Sequence, residues 1–340
     1  MKNTELIINK YLKEIKELEV NCIDVNNNIK DEYKDSVEQL ILNISNNCIS
    51  ELSEYISVGY NPNNYQYRSK LLNYNVLWEI SDELGYQYSC ESFKSATNNN
   101  WIIDANTRLF MMFVKTFKEI IYLLEGGYAA CALSRIRYIY EIGVFFNIIN
   151  KGSNEMAKKF ILISQKSRID IINSINKYNA DATLKASLDS IASNIQSSLD
   201  NLGYGNDIKK NYNWAKEITG LDKISFKELS EYTSLKDYYY IYVKSCHIVH
   251  ADIFGSVFAI DLTKEEIKNR TWVTTPSING IDKVLKYLNI LISNIFFEYF
   301  GKKPSIFNVF IVSILKNILT KDNKKCSTDW LFRAAFLSYL

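Results

Sequence analysis

His247 and His250 are the only histidines of the 340-residue chain, and they stand three residues apart in Tyr242-Val243-Lys244-Ser245-Cys246-His247-Ile248-Val249-His250-Ala251-Asp252. Imidazole is the side chain whose unperturbed proton exchange falls near neutral pH, so chemistry of that kind has one address here. If the segment is helical, positions i and i+3 face the same way. His250 could then act as a general acid–base, with Arg and Glu from a neighbouring helix orienting it and holding an anionic group. For either histidine taken alone the plainer expectation is a partly buried, hydrogen-bonded residue on an aromatic helix, since imidazole is amphipathic. A metal reading needs Cys246 or His247 to join His250 on one helical face, plus a third ligand from a distant Asp, Glu or Cys. No recurrent metal-ligand spacing occurs in the chain, so no metal and no cofactor is expected.

A second constellation is Ser134-Arg135-Ile136-Arg137-Tyr138-Ile139-Tyr140-Glu141. Arg137 and Glu141 are i and i+4 in an apolar helical stretch, where charges are costly to bury unless paired. They read as an ion pair closing the core, or as a site in which the planar fork of Arg137 clamps a phosphate or carboxylate. One set of residues can serve both ends. No glycine-rich phosphate loop follows a strand, and no Gly-x-Ser-x-Gly elbow occurs. Tyr238-Tyr239-Tyr240 and Tyr242 could stack bases, but at helical spacing such a run more often belongs to a core.

The elements that must position these residues read as helices. With 12 Gly and 3 Pro the chain has little punctuation for the many tight turns of a sandwich or barrel. Ile7, Ile8, Tyr11, Leu12, Ile15 and Leu18 form one stripe; Val37, Leu40, Ile41, Ile44, Cys48, Leu52, Tyr55 and Ile56 form a second. Joined by a polar turn over 24–31, they predict an N-terminal helical hairpin. A loop at 59–65 and another at 95–100 flank an intermediate segment left without an assignment. Asp104 is the expected N-cap of a helix to about Leu124, with Phe110, Phe113, Val114, Phe117, Ile120 and Ile121 inward and Gly126-Gly127 ending it. Helices are expected from Tyr128 to about Ile149, Asn154 to about Tyr178 and Ala180 to about Leu202, before a break at 203–206. Ser225 and Glu228 have capping-box spacing. Lys236 to about Phe258 forms the histidine-bearing helix, and helices over 279–300, 305–319 and 327–339 follow. The fold class is therefore all-α: a helical bundle with an N-terminal helical hairpin and C-terminal packing helices. Its expected divisions are an N-terminal helical region at 1–100, a central bundle with both constellations at 101–262, and C-terminal helices at 263–340.

Composition narrows the function classes. The net charge of +2 lacks the broad electrostatic footprint of a duplex-binding protein. Six scattered cysteines without a Cys-x-x-Cys pair suit a reducing cytoplasm. The charged N-terminus does not read as a signal peptide. Leu288–Phe300 and Ile306–Leu319 are the most apolar segments, yet both fall short of the roughly 20 residues a membrane span requires. They are expected to be buried helices.

The ordered set Gly127-Tyr128-Ala129-Ala130-Cys131-Ala132-Leu133-Ser134-Arg135-Ile136-Arg137 through Glu141, then Trp214, then the Tyr-rich helix ending at His250, resembles the bacterial family domain of unknown function 5677. The resemblance covers about 104–260 and places Arg137, Glu141 and His250 on family positions. Cys246 stands where that family usually has serine, with Ser245 beside it, and Ala251-Asp252 replaces its usual Gly/Pro-Ser pair. The Arg and His arrangement is also similar to the higher-eukaryote-and-prokaryote nucleotide-binding superfamily of helical ribonucleases, in which Arg and His share one helix, usually across a dimer. Here Lys244, not Arg, precedes His250 in that window. That resemblance implies a metal-independent ribonuclease of a bacterial defence or toxin-type system. His250 would activate a ribose 2′-hydroxyl or protonate the leaving oxygen, Lys244 and Arg137 would stabilise phosphate charge, and Glu141 would complete the site. The partners implied are RNA or a nucleotide and a second copy of the chain. The alternative expectation is a non-enzymatic helical module that binds a partner protein or nucleotide, with Arg137, Glu141 and His250 as a polar network fixing helix register. Exposure of the His250 ring discriminates the two.

Overall fold

The computed structural model describes residues 3–23, 29–33, 36–56, 66–96, 99–178, 181–201, 212–250, 279–301 and 306–320. Among these the protein is all-α, as the residue patterns predict, with one isolated bridge between Ile23 and Ile29 and no strand. The helices are α1 (Asn3–Cys22), α2 (Val37–Tyr55), α3 (Arg68–Ala96), α4 (Trp101–Glu125), α5 (Ala129–Ile149) and α6 (Asn154–Tyr178). They continue with α7 (Ala182–Asn201), α8 (Lys216–Thr219), α9 (Phe226–Glu231), α10 (Tyr239–Val249), α11 (Ile281–Phe296) and α12 (Ile306–Thr320). Two compact units draw on alternating parts of the chain. One comprises Met1–Ser89, Leu109–Gly143 and Asp237–Leu340, the other Cys90–Arg108 and Val144–Lys236. The breaks expected at 59–65 and 203–206, the end of the histidine helix beyond 250, and the helix over 327–339 lie outside the described residues.

In the first unit α1 and α2 pack on each other as the expected hairpin, and α12 packs against both. Ile7, Ile8, Tyr11, Leu12 and Ile15 of α1 are buried, as are Val37, Ile41, Ile44, Cys48 and Leu52 of α2. Leu40 and Tyr55, assigned to the same stripe, are exposed, Tyr55 at the last position of the helix. The segment left unassigned by periodicity is α3, 29 residues long. Its contacts explain both its helicity and its poor stripe. Trp78 Nε1 donates to the Val114 carbonyl at 3.0 Å, while Tyr74 hydrogen-bonds Asn289 and Lys70 Nζ donates to Asp282 at 3.3 Å, joined there by Tyr67 from just before the helix. A helix with neighbours on more than one side needs apolar residues around more of its circumference. Close approach to α4 is built in at Gly85, where a Cβ would sit 2.7 Å from Met111 Sδ.

All six inward residues named for α4 are buried, and Phe110 stacks face to face with Tyr299 at 4.5 Å. Gly126-Gly127 ends the helix through two backbone bonds, Tyr128 N–H to Leu123 O at 2.7 Å and Gly127 N–H to Leu124 O at 3.0 Å. These are the paired bonds of a Schellman motif, and Gly127 takes the left-handed φ of 80° it requires. That turn aims α5, and with it Arg137.

In the second unit α4 begins earlier than expected. Asp104 is not its N-cap but an in-helix residue, its carboxylate taking Arg108 Nε at 2.9 Å. The first turn is capped by Asn100 Oδ1, which accepts from Ile103 N–H at 3.3 Å, and by Asn154 Oδ1, which accepts from Trp101 N–H at 2.6 Å and Ile102 N–H at 3.2 Å. The Ser225–Glu228 capping box is formed in full. Trp214 is buried against Phe160 at 4.8 Å and Phe145 at 5.8 Å. Its place in the sequence motif is therefore that of a core anchor.

Candidate functional site

Arg137 projects from α5 within the first unit, and its three guanidinium nitrogens each meet a different side chain. Nε donates to Glu141 Oε1 at 3.0 Å, Nη2 to Tyr242 Oη at 3.4 Å, and Nη1 lies 3.2 Å from His250 Nε2. The guanidinium carbon also sits 5.2 Å from the centre of the Tyr242 ring. Two helices supply the set. On α5 the i, i+4 spacing brings Glu141 under Arg137; on α10 Tyr242, Cys246 and the capping residue His250 share one face at i, i+4 and i+8. The His250 backbone N–H closes the last turn on the Cys246 carbonyl at 3.0 Å.

A guanidinium has five donors and no acceptor. The contact is therefore a hydrogen bond in the tautomer whose Nε2 is the acceptor. The His250 residue is exposed, while Arg137 and Glu141 keep side-chain exposures of 23% and 24%. This is a half-open cluster, with the imidazole at its mouth and the ion pair behind. Burial pushes the Glu141 carboxyl above the ordinary carboxylate range, against the opposing pull of Arg137. Burial also works against the Arg137 charge, but Cys246, Tyr242 and Glu141 more than offset it, so the guanidinium holds its proton more tightly than usual. Burial raises both the Tyr242 phenol and the Cys246 thiol, Arg137 pulling each the other way. The Arg137 guanidinium thus stands among a carboxyl, a phenol, a thiol and an imidazole nitrogen.

Of the residues singled out in the sequence, Arg137, Glu141 and His250 come together. Lys244 does not join them; its ammonium lies 5.4 Å from the centre of the Tyr240 ring. Arg135 points elsewhere too, pairing with Glu119 at 3.2 Å. Ser245 is fully buried and donates to the Ile241 carbonyl at 2.8 Å, so position 246 presents the thiol to Arg137 while the neighbouring hydroxyl is spent inside its own helix. Tyr242 and Cys246 are further cluster members, which the sequence marked as part of an aromatic run and as a possible metal ligand or serine replacement. Their signal was the four-residue spacing that ends at His250. The tyrosine run is not core, as periodicity suggested: Tyr238, Tyr239 and Tyr242 are half-buried and Tyr240 is exposed. Tyr239 and Tyr242 stack at 5.5 Å over the fully buried Tyr140. Among the described residues no group of three or more His, Cys, Asp or Glu is placed to hold a metal ion, and no helix is long and apolar enough to cross a membrane. Asp252 lies outside the described residues.

Residues 104–266, just under half of the chain, match the model of a family described as of unknown function, DUF5677. The resemblance drawn from Gly127–Glu141, Trp214 and His250 is thereby shown, and Arg137, Glu141, Trp214 and His250 all lie inside the matched segment. No curated protein and no solved structure matches the chain.

Proposed function

We propose that the Arg137–Glu141–His250 cluster is a phosphodiester site and that the protein is a metal-independent ribonuclease. The observation behind it is the direct 3.2 Å meeting of Arg137 Nη1 with Nε2 of an exposed His250. A phosphate entering between them would take the Arg137 donors that now reach the imidazole and leave the Nε2 lone pair free for a proton. Nε2 accepts the proton of the ribose 2′-hydroxyl as the 2′ oxygen bonds to phosphorus. The P–O5′ bond breaks, and the leaving oxygen takes a proton from water or from the imidazolium so formed. The products are a 2′,3′-cyclic phosphate and a free 5′-hydroxyl. Arg137 holds the charge that builds on the non-bridging oxygens, and Glu141 fixes the guanidinium plane behind it. Lys244, over Tyr240, would add to the positive field and make no contact in the cluster as it stands. The accompanying setting, a bacterial defence or toxin-type effector in the cytoplasm, draws on the resemblance to the helical ribonucleases.

A second reading has its own observation. All three Arg137 nitrogens are already engaged, as in a polar network that fixes the register of two helices. In that reading the protein is a binding module without turnover. The test is incubation of wild type and His250→Ala with total RNA and with tRNA in EDTA. Cleavage by wild type alone, yielding cyclic-phosphate ends, supports the ribonuclease. Intact RNA in both reactions, or equal cleavage by both proteins, overturns it.

A further inference from the structure

In the first unit α3 and α4 run antiparallel, with Asn75 meeting Lys118, Trp78 meeting Val114 and Gly85 meeting Met111. Two hollows open along this contact, and Asp82 and Met111 line both, so together they form one groove. The hollow beside α1 has a volume of about 310 Å³. Four carboxylates line it, from Glu5, Glu79, Asp82 and Glu83, and no lysine or arginine does. All four residues are half-buried, and among the described residues none of them is in an ion pair. Glu79 accepts from Thr4 Oγ1 at 3.2 Å and Glu83 from Gln87 Nε2 at 2.9 Å, neutral donors that leave the negative charge in place. The second hollow, of about 380 Å³, is built on Trp78, Met111 and Val114, with Tyr122 63% exposed at its rim. Lys118 is folded onto this surface. Its ammonium lies 4.0 Å from the centre of the Trp78 ring and 5.2 Å from that of Tyr122, and it donates to Asn75 Oδ1 at 2.9 Å.

We infer that this groove docks a basic amphipathic helix of a partner protein. Lysine or arginine side chains of that helix enter the hollow beside α1, and its large apolar side chains lie on Trp78, Met111 and Tyr122. A groove between two helices with an apolar floor is the usual seat of such a segment. At a rise of about 1.5 Å per residue, Met111 to Tyr122 spans about 16 Å, or three turns of a docked helix. Charge complementarity selects the occupant. Half-buried carboxylates gathered in one hollow repel each other, and a cation placed among them relieves that repulsion. At the opposite end Lys115 and Lys118 supply positive charge, and Glu119 is already paired with Arg135, so a basic side chain is disfavoured there. The groove is thus negative at one end and positive at the other, which fixes the direction in which the helix lies. A nucleic acid would meet the carboxylates with like charge. Met111 and Tyr122 adapt to apolar side chains of several shapes at little cost. No residue of the groove belongs to the Arg137 cluster, so the inference is independent of the proposed ribonuclease.

The experiment selects a phage-displayed library of random dodecapeptides on the full chain. The enriched peptides are then synthesised, labelled with fluorescein and titrated by anisotropy. Wild type, Asp82→Lys, Tyr122→Ala and, in the second unit, Glu231→Lys are compared; the last makes the same charge change at an exposed site away from the groove. Each substituted residue is exposed or half-buried, so helix content should stay at the wild-type value, as circular dichroism would check. The expected peptides combine lysine or arginine at one end with large apolar residues at helical spacing. Their binding should weaken roughly tenfold or more in Asp82→Lys and in Tyr122→Ala and stay unchanged in Glu231→Lys. A library that yields no binder, or only acidic ones, overturns the inference. So does binding that Asp82→Lys and Tyr122→Ala leave intact, or that Glu231→Lys weakens equally. Loss in Asp82→Lys with none in Tyr122→Ala also overturns it, since the apolar hollow would then take no part.

Discussion

Arg137 Nη1 and His250 Nε2 lie 3.2 Å apart although 113 positions separate them in the chain. The contact joins the only exposed imidazole described at the end of α10 to the half-buried ion pair of α5. His250 is therefore accessible to a ligand without being needed to seal a core. His250→Ala should leave thermal stability within about 0.5 kcal/mol of wild type, as for exposed substitutions elsewhere. Under the proposed mechanism the same variant loses RNA cleavage. A fall of several kcal/mol in urea denaturation, with no activity to lose, would instead make the imidazole a structural member of the network.

Glu141 is the partner whose loss should be felt in the fold. Glu141→Ala leaves the half-buried Arg137 without the carboxylate on Nε, at an expected cost of about 1–3 kcal/mol. Arg137→Lys should fail to restore function, since a point charge cannot reach three acceptors at once. Lys244→Ala should cost less cleavage than Arg137→Lys, because Lys244 lies over Tyr240 outside the cluster. Kinetics on a defined oligonucleotide would rank the three variants; an equal loss for Lys244→Ala would require Lys244 to move into the site.

Thiol labelling of the native protein should follow exposure and pKa together. Cys90 and Cys131 are exposed and should react first. Cys246 is half-buried, with burial raising its thiol, and should react more slowly. Cys48 is buried and pushed up to about 12 by burial, and with Cys22 it should be silent until the chain unfolds. Mass spectrometry of timed iodoacetamide reactions checks this order, and early modification of Cys48 would contradict the α1–α2 packing.

Acid should loosen the pairing of α1 with α2. Lys10 Nζ and Tyr11 Oη both donate to Glu51 Oε2 at 2.7 Å, and those bonds lower the Glu51 pKa below its ordinary 4.5. A carboxyl with a lowered folded-state pKa stabilises the fold above its unfolded value, and the contribution is lost as pH falls through the folded value. The difference in melting temperature between wild type and Glu51→Gln should thus be present above pH 4.5 and vanish in stronger acid. A difference that grows in acid would carry the wrong sign.

Removing the Ser225 hydroxyl tests a local device that sequence and structure share. Ser225→Ala breaks the bond to Glu228 N–H and half of the capping box, at about 1 kcal/mol. Equilibrium unfolding measures it, and no change would mean that the short helix α9 is held by Phe226 and Leu229 alone.

The pattern of legibility follows from which interactions are local. Phe110 to Ile121 of α4 and the Ser225–Glu228 box are set by neighbours within a few residues, and periodicity found them. The helix α3 was hidden because its partners, Asp282 and Asn289, lie more than 200 residues downstream and ask for a mixed surface. Asp104 looked like an N-cap, yet Asn154, 53 residues away, performs that task for Trp101. At the site, Arg137 with Glu141 was legible from i, i+4 spacing. Tyr242 and Cys246 follow from the four-residue spacing that ends at His250, but that this face of α10 would meet Arg137 depended on the rotation of the helix in the fold.

The packing of α12 on α1 and α2 has a consequence for biosynthesis. Helices α1 and α2 leave the ribosome well before residues 306–320, against which both of them pack. Until then the sides of α1 and α2 that α12 covers stay open to the cell, a state that invites chaperone capture or aggregation. A chain stopped before residue 306 would keep the whole Arg137 cluster in its sequence and still lack the cover its N-terminal hairpin needs. A stop just before residue 306 should therefore damage the fold nearly as much as a stop far upstream of it.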